Sequence, residues 1–111
     1  MSNKLYILVR GDLSKSQQAV QASHAVAQFM LWENKISCRC GQCGDQYLWD
    51  NETIVLLKVK DLDDLNKWYR EIELNTKIYC SFSEPDIEHE MTAIAAYGPQ
   101  LEDLLKNLRL V

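Results

Sequence analysis

Lys4 to Arg10 reads Lys-Leu-Tyr-Ile-Leu-Val-Arg, a near-continuous apolar run of the kind that fills a strand buried on both faces of a parallel sheet. Thr53 to Lys60, carrying Ile54, Val55, Leu56, Leu57 and Val59, predicts a second such strand. Between them, Gly11-Asp12-Leu13-Ser14 supplies turn chemistry and a serine able to cap a helix, which the pattern places from about Lys15 to Glu33. In that helix Ala19, Ala22, Val26, Phe29 and Met30 recur at helical spacing and predict a buried stripe. Gln17, Gln21, His24 and Gln28 fall at steps of four, three and four, so a helix lines them up on one polar face near the end of the first strand. Strand, helix and strand together predict a right-handed crossover unit.

Ile36 to Asn51 has no periodicity and reads as a loop that holds three of the cysteines. Asp61 is placed to cap a second, amphipathic helix whose inward stripe is Leu62, Leu65, Trp68, Tyr69 and Ile72. Lys77 to Phe82 alternates like a strand near a sheet edge, Ser83 to Glu90 reads as an acidic loop, and Met91 to Tyr97 is strand-like. Gly98-Pro99 breaks that run, and Leu101, Leu104, Leu105 and Leu108 fit a closing helix. The order β-α-β-α-β-β-α predicts an α/β fold: one domain over residues 1–111, three layers α/β/α, a mixed sheet of about four strands, and a Cys-rich loop insertion at about 36–51.

With 111 residues, 47% of them hydrophobic and 25% charged, the chain suits one globular core and not a disordered or fibrous protein. Its apolar runs are far shorter than a membrane span, and the N-terminus leads into a strand without a signal-like segment, so a cytoplasmic protein with no membrane contact is expected. A formal net charge of −4 weighs against a broad nucleic-acid footprint while leaving room for a small nucleotide site.

Arg10-Gly11-Asp12-Leu13, followed by Gln21-Ala22-Ser23-His24-Ala25 and later by Thr92-Ala93-Ile94-Ala95-Ala96-Tyr97-Gly98-Pro99, resembles the archaeal and eukaryotic type of peptidyl-tRNA hydrolase. The resemblance spans nearly the whole chain apart from the cysteine loop. It implies the family's fold, hydrolysis of the ester between a peptide and the 3′ end of tRNA, and often a homodimer. Asp12, Gln21, His24 and Thr92 match the family's motif positions. Two positions depart. The family's helix lysine, seven residues before the histidine, is Gln17 here, and Lys15 is turned about 200° away from it on a helix. The family's loop Asp-Ala-Gly-x-Thr is replaced by Phe82-Ser83-Glu84-Pro85-Asp86, so Glu84 or Asp86 is left to stand in for its carboxylate.

Ester hydrolysis needs a positioned water, a group to take its proton and donors facing the developing oxyanion. The candidate catalytic set is therefore His24 as base, Glu84 or Asp86 as its orienter, and Thr92; the candidate ligand-binding set is Asp12, Lys15, Gln17, Gln21 and Gln28. His24 reads equally as a helix histidine packed on the sheet, and the glutamines as a solvated face. Glu84, Asp86, Glu88 and Glu90 alternate beside His89, a composition that suits either a hard cation or plain solvation. Cys38, Cys40 and Cys43 offer one zinc knuckle without a second, so the loop either binds zinc with outside help or carries reduced thiols; no cofactor is otherwise required.

Three functions follow as expectations. The first is a hydrolase-like protein that binds or sequesters a nucleotide-type ligand, with hydrolysis weak or lost because an amide cannot replace the lysine's charge. The second is an active peptidyl-tRNA hydrolase acting on the tRNA 3′ end through His24 with Glu84 or Asp86. The third is an interaction module that uses the cysteine loop.

Overall fold

The computed structural model describes residues 4–37 and 53–111. The expected cysteine loop, with Cys38, Cys40 and Cys43, lies outside the described residues. Five strands form one mixed sheet: β1 (Lys4–Arg10), β2 (Thr53–Val59), β3 (Tyr79–Glu84), β4 (Glu90–Tyr97) and β5 (Arg109–Leu110), in the order β3-β4-β1-β2-β5. β1 and β2 are parallel, with Lys4 opposite Thr53 and Arg10 opposite Val59; every other neighbouring pair is antiparallel.

Each face of the sheet has its own core. Helix α1 (Lys15–Ser37) packs Ala22, Ala25 and Phe29 against Leu5, Ile7, Val9, Ala93 and Ala95. On the other face, α2 (Leu62–Asn75) and the short α3 (Leu101–Leu104) bring Leu65, Ile72, Leu101 and Leu105 onto Tyr6, Leu8, Leu57, Val59, Ile94 and Ala96. Because β1 is central, alternate side chains of its apolar run enter opposite cores, which is why the run does not alternate with polar residues. Asp61 caps α2 as its sequence position suggests, its carboxylate accepting from the Asp64 amide at 3.0 Å.

Four details depart from the sequence reading. α1 continues to Ser37, since nothing between Asn34 and Ser37 interrupts a helix. Within it Ala19 is exposed, whereas Gln18 and Gln21 are buried. The acidic stretch Ser83 to Glu90 is a tight hairpin: β3 runs through Glu84, a single 3-10 turn covers Pro85–Ile87, and β4 begins at Glu90. Glu88 and His89 take left-handed backbone angles, φ 52 and 60, to close it. Last, the closing helix stops at Leu104, and Arg109–Leu110 add a fifth strand along the outer edge of β2, a segment too short to leave a periodic signature.

A polar site at the end of the central strand

The β3–β4 register shifts between Phe82 and Ser83: Phe82 lies opposite Ala93, but Ser83 lies opposite Met91, leaving Thr92 as an extra residue. An extra residue in one strand kinks it and re-aims the side chain it carries. Here the Thr92 hydroxyl reaches α1 and donates to Oε1 of Gln21 at 2.7 Å, with a second contact to the Phe82 carbonyl at 3.3 Å. Thr92 and Gln21 are both fully buried.

Gln21 extends the chain of bonds outward. Its Nε2 donates to Glu84 Oε2 at 2.8 Å and to Gln17 Oε1 at 3.2 Å. The carboxylate of Glu84 only accepts, so the amide must turn its nitrogen to Glu84 and its oxygen to Thr92. The Gln21 bond, aided by the nearby His24, holds the Glu84 carboxyl below the usual carboxylate range. Glu84 also accepts from the Asp86 backbone amide at 3.4 Å, which fixes the start of the 3-10 turn.

One turn beyond Gln21, the exposed His24 lies flat on Phe82, with ring centroids 4.4 Å apart and planes 8° from parallel. Stacking fixes the imidazole plane and leaves its edge to solvent.

A second group sits where β1 ends. The Arg10 guanidinium grips Asp12 through two bonds of 3.0 and 2.8 Å and meets Glu90 Oε1 at 2.8 Å. The Arg10 side chain is only 9% exposed, so its charge is matched by fixed carboxylates and not by water. The Asp12 and Glu90 contacts raise its pKa, and Arg10 in turn holds the Asp12 carboxyl down. Gly11, between them, donates its backbone amide to the Val59 carbonyl at 2.7 Å; a Cβ there would meet that same oxygen at 2.7 Å, so the close approach requires glycine. Gln18 secures the turn, its amide donating to the Leu13 carbonyl at 2.8 Å, and Ser14 accepts from the Gln17 amide at 3.2 Å as the helix cap.

Of the residues singled out in the sequence, Gln17, Gln21, His24, Glu84 and Thr92 are brought together, and Asp12 is held at the neighbouring strand end. Asp86 joins through its backbone alone. Lys15 and Gln28 are exposed and form no hydrogen bond or ion pair with this cluster among the described residues. The roles of Gln18 and Glu90 escaped the sequence reading; Glu90 lies 80 residues from Arg10 along the chain, and no local pattern signals that pairing. Among the described residues no group of three or more His, Cys, Asp or Glu is placed to hold a metal ion. Cys80, in β3, is no candidate ligand or nucleophile, because burial pushes its thiol up to about 11 and keeps it protonated. No helix among the described residues is long and apolar enough to cross a membrane.

The family model described as peptidyl-tRNA hydrolase PTH2 matches residues 3–109, nearly the whole chain. No curated protein matches the sequence.

Proposed function

The chain belongs to the PTH2 peptidyl-tRNA hydrolase family, and from that premise we propose that it binds a nucleotide-type ligand, the 3′ end of a tRNA or a smaller nucleotide, with ester hydrolysis weak or lost. What supports this reading is the disposition of donors around Gln21. Both hydrogens of its amide nitrogen are engaged, one by Glu84 and one by Gln17, and the Thr92 hydroxyl is turned inward to Gln21. The position that carries the family's lysine is Gln17, whose oxygen accepts from Gln21. Arg10, the buried cation beside the site, is occupied by Asp12 and Glu90.

The site thus has a base without a ready electrostatic partner for an oxyanion. His24, its ring edge open to solvent, can take a proton from water. The tetrahedral intermediate would then find the Gln21 amide and the Thr92 hydroxyl already in use. Losing one preorganised donor costs about 100- to 1000-fold in rate, enough to leave binding as the main activity. The exposed amides of Gln17 and Gln28 and the rim of His24 suit uncharged recognition of base edges or ribose hydroxyls. We expect it to act in the cytoplasm, without a cofactor, as a homodimer in which a second subunit adds contact area to a short chain.

One observation favours the second reading, an active hydrolase. His24 is near enough to Glu84 to help hold its carboxyl down, a proximity that would let the carboxylate orient the imidazole. Two measurements separate the readings: release of an N-blocked amino acid from its tRNA, and the melting temperature in the presence of nucleotides or a short CCA-ending RNA. A ligand that binds only the folded state raises the melting temperature. Stabilisation that His24→Ala weakens, with no turnover, is the expected result. Turnover abolished by His24→Ala establishes the hydrolase, and neither stabilisation nor turnover overturns both.

A further inference from the structure

Outside this site, one cluster of charges has no internal explanation. In the β2–β5 ladder Lys58 stands directly opposite Arg109. Directly opposed residues share a face of the sheet with Cβ atoms about 5 Å apart, and like charges so placed repel. Lys60 follows immediately after the last residue of β2. All three line one shallow cavity of about 390 Å³ with Val59 and Gly11. Its wall at Gly11 is bare backbone, and the aliphatic stem of Lys58 comes within 3.8 Å of where a Cβ would stand. Among the described residues none of the three cations has a salt bridge, although the protein carries an excess of acid. The nearby Asp64 carboxylate is turned to the Lys60 backbone amide and to no ammonium.

We infer that this groove is a phosphate-binding site, and that its source of phosphate is the backbone of the RNA whose 3′ end enters the neighbouring polar site. The choice of RNA rests on the function proposed above; the anion site itself does not. Three cations lining one groove suit a doubly ionisable phosphate or a phosphodiester, which brings oxygens on several sides and cancels the repulsion between Lys58 and Arg109. Gly11 connects the two sites, because it lines the groove while the buried Arg10 and the exposed Asp12 on either side of it form an ion pair.

The test measures binding of a CCA-ending acceptor-stem RNA across a series of salt concentrations, for the wild type, Lys58→Gln, Arg109→Gln and His24→Ala. Pyrophosphate is titrated separately, with the melting temperature as readout and circular dichroism confirming that each variant folds. Each lost phosphate contact lowers the slope of log affinity against log salt by about one. The expected result is that slope change in Lys58→Gln and in Arg109→Gln, with the slope of His24→Ala unchanged. RNA binding whose slope none of the groove substitutions alters, together with no stabilisation by pyrophosphate, overturns the site. Pyrophosphate stabilisation abolished by the groove substitutions, in a protein that binds no RNA, upholds the phosphate site and rejects RNA both as its source and as the ligand of the polar site.

Discussion

The hydroxyl of Thr92 and the side-chain oxygen of Gln21 meet at 2.7 Å, two fully buried polar groups 71 residues apart in the chain. A strand irregularity delivers the first and the second turn of a helix delivers the second, so the contact ties α1 to β4 at the site. Substituting Gln21 by Leu leaves the Thr92 hydroxyl with the longer Phe82 carbonyl contact alone and removes a donor from Glu84. The expected cost is about 1–3 kcal/mol of unfolding free energy. Adding Thr92→Val should restore part of it, because a buried hydroxyl left with only a long contact is then removed. Urea denaturation of the four species checks this; strictly additive losses would mean that the two groups are not coupled.

Two carboxyls, Asp12 and Glu84, are held below their ordinary values by Arg10 and by Gln21 respectively. A carboxyl whose pKa is lower in the folded state contributes stability that is present above its unfolded value, about 4, and is lost as pH falls through the folded one. Stability should therefore be level from neutral pH down to about 5 and decline below it. Asp12→Asn should make that acid limb shallower. Denaturant midpoints measured against pH give the answer, and limbs of equal steepness would contradict it.

Gln17→Lys places an ammonium on the helix face that carries Gln21 and, through it, Glu84. It supplies a charged donor at the family's lysine position. If the site has kept its shape and lost only that charge, ester hydrolysis should rise by about 100-fold or more. Single-turnover assays on an N-blocked aminoacyl-tRNA measure the gain. No gain, with the fold intact, would show that more than the lysine has been lost.

Gly11→Ala drives a methyl group to 2.7 Å from the Val59 carbonyl, a backbone atom that cannot rotate away. Overpacking of this kind typically costs about 1–3 kcal/mol. The strands must part locally, so ligand binding at both neighbouring sites should weaken along with stability. Thermal melts and RNA binding report the two effects.

Lys58→Gln removes one of two opposed cations on β2 and β5. In the absence of phosphate it should raise stability by about 0.2–1 kcal/mol at low salt, and the gain should disappear at high salt, where the repulsion is screened. A loss of stability at low salt would show that Lys58 has an internal partner.

The sequence alone determined the elements whose signal is local. β1 shows as an unbroken apolar run because both its faces are covered, α2 as a stripe with a capping aspartate, and the turn before α1 as Gly11 through Ser14. The residues of the site were legible from their likeness to a family, Gln17, Gln21, His24 and Thr92 among them, and so was the departure at Gln17. Tertiary structure decided what depends on partners far along the chain. It buried Gln21, which helical spacing alone places on an open polar face, because the bulge at Thr92 offers that amide a hydroxyl and β3 offers it a carboxylate. It brought Glu84 to Gln21 of α1 through strand pairing, while Asp86 meets Glu84 through its backbone amide. It joined Arg10 to Glu90 and set Lys58 against Arg109, contacts fixed by strand register. Periodicity records which face of an element is apolar; only the pairing of strands fixes which polar groups must share a place from which water is excluded.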